Sequence, residues 1–275
     1  MSPISLAGKT IFMSGGSRGI GLAIALRAAR DGANVAIMAK TDAPQPTLEG
    51  TVHTAAAEIE AAGGGALAIV GDVRDADAVV AAVRQTAEHF GGIDVCVNNA
   101  SAINLTPLSD LPVRRFDLMM QINVRGTYVV SQACIPYLKD NGGHVLTLSP
   151  PIDLDPKWLG PHAAYTLSKY GMSMLTLGLA EELKADGIAA NALWPRTLIA
   201  TAAVQNLLGG DAAMARARRP EIVADAAHAI LVSDPATCTG NCFIDEAVLE
   251  GEGITDFRRY LYTGNEEDLA LDLFL

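Results

Sequence analysis

"KTIFMSGGSRGIG", residues 9–21, decides the fold. Its first half, 9–15, is a short, nearly unbroken apolar run, the pattern of a strand covered on both faces. Glycines follow at 15, 19 and 21, and a helical pattern runs over 19–31. A strand that delivers a glycine-rich turn into the start of a helix is the first unit of an α/β sheet. The helix start carries free N–H groups and the positive end of the helix dipole, and the glycines let an anion approach the backbone. In this strand–loop–helix setting, Gly15, Ser17, Arg18, Gly19, Ile20 and Gly21 are expected to cradle a dinucleotide pyrophosphate.

Further along the chain the same unit recurs. Apolar runs at 33–39, 65–73, 93–100, 143–149, 188–195 and 241–246 add six strands to the first. Helical patterns at 52–62, 75–90, 114–139, 165–185 and 221–233 lie between them. This alternation predicts α/β architecture: a Rossmann-type doubly wound parallel sheet of seven strands with helices on both faces. No linker and no internal repeat divides the chain, so residues 1–275 read as one domain with an acidic, aromatic tail over 251–275. The least regular parts, 40–51, 150–163 and 196–220, follow strands two, five and six and are expected to wall the cleft.

Bulk properties narrow the partners. The chain is 50% hydrophobic and carries a net charge of −11, which disfavours nucleic acid and anionic membrane. No apolar run reaches a membrane span, and the start "MSPISLAGKT" does not read as a signal peptide. Four cysteines make no disulfide framework, and the Cys238/Cys242 pair lacks further ligands for a metal. The expectation is a cytoplasmic protein with no metal.

The end of the second strand bears on the choice of nucleotide. An NAD site usually offers a carboxylate about 20 residues after the loop. Here the strand ends in Ala39 and Lys40 follows, with Arg18 in the loop itself. Two cations suit a 2′-phosphate, so NADP is expected over NAD, although Asp42 is close by. Asp72 ends strand three, where it either accepts from an adenine amine or caps the next helix.

"AAYTLSKYG", 163–171, opens a helix with Tyr165 and Lys169 one turn apart on one face. A phenol titrates near about 10, and an adjacent ammonium favours its ionised form. Such a pair can give a proton to a carbonyl or take one from an alcohol.

"SGGSRGIG", "GDV" (71–73), "VNNA" (97–100), "INV" (122–124) and "YTLSK" (165–169) together resemble the short-chain dehydrogenase/reductase family over nearly the whole chain. The resemblance implies that the glycine loop, Lys40, Asp72, Val73, Asn99 and Ala100 bind the cofactor, with Asn98 framing strand four. It implies Tyr165 as acid/base, Lys169 on the cofactor ribose, and Asn123 holding a water that relays protons. Pro195 and either Thr197 or Thr201 would meet the nicotinamide. It further implies a homodimer or homotetramer, which the broad apolar faces of 114–139 and 165–185 also suit, and an apolar substrate such as a lipid, terpenoid or steroid-like compound. Three departures stand out. The family's serine after strand five aligns with Pro150, one past Ser149; Ser149 is the expected stand-in, with Thr147 a weaker one. Arg196 stands where glycine is usual. "FIDEAV" (243–248) replaces Asp-Gly-Gly after the last strand. An efficient NADP-dependent oxidoreductase and a nucleotide-binding scaffold with little turnover are the two functional expectations.

Overall fold

The computed structural model describes residues 5–45, 49–141 and 143–275. The start of the N-terminal stretch (1–4) and part of the irregular segment 40–51 (46–48) lie outside the described residues.

The elements, in order, are β1 (Thr10–Ser14), α1 (Gly19–Ala29), β2 (Asn34–Ala39), α2 (Val52–Ala61), β3 (Gly65–Val70), α3 (Ala76–Phe90) and β4 (Val95–Asn98). Then come α4 (Val113–Met119), a π-helical turn (Met120–Arg125), α5 (Gly126–Asn141), β5 (Gly143–Leu148), α6 (Pro156–Leu159) and α7 (Ala163–Glu182). The chain continues through β6 (Ile188–Trp194), α8 (Gly210–Met214), α9 (Glu221–Leu231), β7 (Cys242–Ile244) and α10 (Asp245–Gly251). The seven strands form one sheet in the order β3-β2-β1-β4-β5-β6-β7, and every pairing is parallel. The strand order reverses between β1 and β4, and a ligand crevice belongs at the carboxyl ends there.

Strand residues alternate between two apolar layers, as side chains of period two must. Ile11, Met13, Val35, Ile37, Val95 and Val97 pack against α1, α2 and α9. Phe12, Ala36, Met38, Cys96 and Val145 face the opposite way, onto α3 and α5. Both layers are fully buried, which explains why the strands read as continuous apolar runs rather than alternating ones. The alanine-rich faces of α1 and α9 let these helices lie close against one another.

Helix boundaries follow local chemistry. Asp75 caps α3 by accepting from the Ala78 N–H at 3.1 Å, and Gly91 ends it at φ 88. Replacing Asp75 by alanine would cost about 1 kcal/mol. The cap falls to Asp75, so the helix-capping alternative for Asp72 is not the one observed. The start of α1 has no side-chain cap and no acidic residue in its first turn. Its orphan N–H groups therefore face the glycine loop uncompensated by protein.

Candidate active site

Two neighbouring regions at the strand ends carry the chemistry. The first is a cavity of about 970 Å3 over the β1–α1 loop. Gly15, Ser17, Arg18, Gly19, Ile20, Lys40, Asp72, Val73, Asn99 and Ala100, all expected from the sequence to bind the cofactor, line it. Gly15 has φ 76, and a Cβ there would sit 2.8 Å from the Ala100 Cα. At Gly21 a Cβ would meet the Asn99 Nδ2 at 2.5 Å. Asn99 donates to the Gly15 carbonyl at 2.8 Å, tying β4 to the loop. Gly21 thus packs loop against strand and does not line the cavity.

The cations and acids around this groove have distinct roles. Arg18 donates to the Glu49 and Gly50 carbonyls at 2.8 and 2.6 Å, so it clamps the segment after β2. Lys40 lies 60% exposed with its ammonium 3.5 Å from Asp72. Arg74 grips Asp72 with its guanidinium, at 2.6 Å for the shortest contact, and holds that carboxyl well below the usual range. Asp42 is drawn aside to His53 at 2.7 Å, and no carboxylate stands at the end of β2. Thr201 lines the groove with its Cγ2 close to Gly19, whereas Thr197 does not.

The second region is a closed corner between β5, β6 and α7. Tyr165 and Lys169 lie on the buried face of α7, at 4% and 3% exposure. Lys169 donates to the Leu148 carbonyl at 2.9 Å, and Ser173 donates to the Pro150 carbonyl at 2.6 Å. Helix α7 therefore grips the chain on both sides of Ser149, whose hydroxyl is fully buried and has no hydrogen-bond partner. Thr147, by contrast, receives the Thr176 hydroxyl at 2.8 Å and is committed to the interior. Pro195 is buried at the end of β6, and the Thr197 hydroxyl is buried without a partner.

Asn123 sits in the π-helical turn, a distortion common at functional sites. Its carboxamide forms a reciprocal pair with the backbone of Ala102, at 2.7 and 2.9 Å, and also donates to Ser168 at 2.9 Å. Ser168 in turn donates to the Tyr165 carbonyl at 2.8 Å. Asn123 thereby braces α7 against the β4 loop. Asn98 donates to Ser131 at 2.8 Å and is an interior strut.

Burial opposes the effect of the neighbouring ammonium in the corner. Burial, reinforced by Asp272, pushes the Tyr165 phenol above its ordinary pKa. Burial also pushes the Lys169 ammonium down to about 7, with Asp272 opposing. Asp272 is itself raised to about 7 by burial, with Lys169 pulling the other way. Burial thus favours the protonated form of the Tyr165 phenol.

Asp272 belongs to a segment the sequence reading leaves only as a covering tail. Asp272 donates its N–H to the Arg196 carbonyl at 3.0 Å, and Trp194 donates its indole N–H to Leu273 at 2.9 Å. Phe274 then stacks on Tyr165, with ring centroids 6.1 Å apart and planes 30° from parallel. The tail thus packs over Tyr165 and Trp194 of its own domain. His162 and Asp245 are the other corner residues missed by the sequence reading; neither carries a motif.

A glycine loop at a strand-order reversal, beside a tyrosine and lysine one helical turn apart, matches one family throughout. The family model described as short chain dehydrogenase fits residues 9–210. The chain is a short-chain dehydrogenase. A short-chain dehydrogenase from Mycobacterium thermoresistibile is 60% identical, with a TM-score of 0.92 over 98% of this chain and 96% of that one. Hydroxysteroid dehydrogenase-like protein 2 from Homo sapiens is 55% identical over 93% of this chain and 60% of its own length. The Xenopus tropicalis protein of that name is 57% identical over 98% of this chain and 64% of its own. The chain thus spans somewhat under two thirds of these longer relatives. As a short-chain dehydrogenase it is an oxidoreductase of a family that uses a nicotinamide cofactor. The uncapped start of α1, its lack of first-turn acids and the adjoining cavity fit that group. Among the described residues, no helix is long and apolar enough to cross a membrane.

Proposed function

We propose that this short-chain dehydrogenase interconverts a carbonyl and an alcohol on an apolar substrate, using NADP(H). The observation that carries the reading is that Tyr165 and Lys169 share the buried face of α7, the helix that also holds the carbonyls on both sides of Ser149, whose hydroxyl has no partner. When bound, the nicotinamide supplies or accepts a hydride. In the reducing direction Tyr165 gives its phenolic proton to the carbonyl oxygen as the carbon gains hydride, so the product is a neutral alcohol. Ser149 donates a hydrogen bond to that oxygen while its negative charge develops. Lys169, whose ammonium burial brings down to about 7, passes a proton to the phenolate and regains one from solvent when the corner is open. Asn123 keeps α7 at a set distance from the β4 loop, so that Tyr165 does not drift.

The preference for NADP rests on Lys40 and on the lack of an acid at the end of β2. A guanidinium clamp at Arg18 shapes the pocket rim without meeting an acid. Thr201 is the threonine nearer the glycine loop, and Thr197 and Pro195 adjoin the reacting corner. The same reading places the protein in the cytoplasm as a homodimer or homotetramer, packed through α5 and α7, where Tyr128, Leu167 and Met174 are exposed.

A second reading, a nucleotide-binding scaffold with little turnover, draws on the closed state of the corner. NADPH consumption with a panel of aldehydes and ketones separates the two. The oxidoreductase reading expects a rate above background that Tyr165→Phe removes. Tight NADPH binding with no rate on any carbonyl, in the native chain and in a chain whose tail is loosened, supports the scaffold.

A further inference from the structure

Phe274 sits in a box of five rings. Trp158, His162, Tyr165, Tyr170 and Trp194 all lie with centroids 5.3–6.1 Å from its own. Two of the walls are held without the tail: Tyr170 donates to the Asp153 carbonyl at 2.6 Å, and Thr166 donates to the Trp158 carbonyl at 2.6 Å. These bonds pin the loop after β5 onto α7. A rigid apolar box built around the reacting tyrosine is a ligand site by construction.

The occupant fits this box imperfectly. Phe274 has φ 76, a left-handed conformation that a bulky side chain rarely adopts. The His162 Nε2, on a ring that Phe274 touches, is buried with no hydrogen-bond partner, as is the hydroxyl of Thr197, which bridges to Leu271 of the tail; the Ser149 hydroxyl and one Asp245 oxygen are likewise buried and unpartnered. The tail thus lies against His162 and Thr197 without satisfying either. A natural wall of the site would ordinarily satisfy what it buries. Moreover, Tyr165 is 4% exposed with the Phe274 ring stacked on it, so no substrate oxygen can approach the phenol from that side while Phe274 is in place.

We infer that the aromatic box is the substrate subsite and that Phe274 occupies it as a stand-in for the substrate, an apolar ring compound bearing one carbonyl or hydroxyl oxygen. Residues 272–275 must lift before turnover. The rings clasp the apolar body, and the unpartnered hydroxyls take the oxygen. The assignment rests on the oxidoreductase reading for the reaction, but its test reads binding alone.

The chain has only two tryptophans, and both line the box, so tryptophan fluorescence reports its contents. The probe is 2-decalone, an apolar bicyclic ketone, with the polar cyclic ketone scyllo-inosose as its counterpart. Apparent affinity scales with the open fraction, so Phe274→Ala should bind 2-decalone roughly tenfold or more tighter than the native chain. Neither protein should bind scyllo-inosose. Equal or weaker 2-decalone binding by the variant would make Phe274 a wall and overturn the proposal. So would failure of both proteins to bind 2-decalone, or equal binding of the two probes. Should Phe274→Ala misfold, hydrogen exchange on the native chain decides. Saturating 2-decalone should speed exchange of the Asp272 amide and the Trp194 indole N–H, both now bonded across the tail; unchanged or slowed exchange would overturn the proposal. Binding without NADPH oxidation would leave this subsite standing and remove the catalytic reading.

Discussion

The glycine-loop groove stands open over about 970 Å3, whereas Tyr165, Ser149 and Lys169, on neighbouring elements of the same sheet edge, lie almost wholly out of solvent. The groove is assembled from strand ends and the turns that follow them, and its main-chain donors at the start of α1 are exposed to the cavity. The corner has its reacting groups in place and a segment of the chain laid over them. The difference teaches that nucleotide and substrate meet this protein under different conditions. On the proposed reading the nucleotide's pyrophosphate half would enter a formed site, and the substrate would have to displace protein.

Removing the unpartnered hydroxyl of the corner tests that contrast most forcefully. Ser149→Ala should lower kcat on the order of 10²-fold, the usual loss when a donor to a developing oxyanion is removed. The same change relieves a buried unpaired polar group and should raise stability by about 1 kcal/mol. Turnover and thermal unfolding, measured together, check both signs; unchanged turnover would make Ser149 a strand-end residue only.

On the groove side, Lys40→Ala should raise the Kd for NADPH about tenfold through loss of a 2′-phosphate contact and leave NADH unaffected. Fluorescence titration with the two nucleotides measures this. Equal losses for both would assign Lys40 to general surface charge.

A smaller effect sharpens the corner's electrostatics. Burial raises the Asp245 carboxyl to about 7, from an ordinary value of 3.8. Between these values the folded chain keeps a proton that the unfolded chain has lost. Asp245 therefore contributes stability that is full below the unfolded value and lost as pH rises to about 7. Asp245→Asn retains an oxygen for the Arg196 and Glu246 N–H groups, both now at 2.8 Å. Its Tm should gain on the native chain steadily as pH rises through that window, and should stop gaining above it. Parallel Tm curves would show that Asp245 ionises freely.

How much of this was legible in the sequence follows the same divide. Strands and groove depend on local patterns: apolar runs of five to seven residues, glycines at fixed offsets, Lys40 one residue past a strand. These carry their geometry with them. Tyr165 and Lys169 were likewise legible, because one helical turn sets their spacing. Ser149 was legible as a hydroxyl beside two prolines, but its lack of any partner depends on how Lys169 and Ser173 hold the flanking carbonyls. The cover over the corner was not legible. Asp272 and Phe274 lie about a hundred residues from Lys169 and Tyr165, and an acidic, aromatic tail says nothing of which surface it meets. Nor was the balance at the phenol legible: the neighbouring ammonium favours ionisation, and the burial that opposes it depends on the long-range packing.

The account turns on Tyr165 giving up its proton once the corner is open. The direct measurement is NADPH oxidation with 2-decalone by Phe274→Ala, compared with Phe274→Ala/Tyr165→Phe. The account predicts turnover in the first and a loss of roughly 10²- to 10⁴-fold in the second, with binding of both ligands retained. Equal rates in the two proteins, or no rate in either while both ligands are bound, would contradict it.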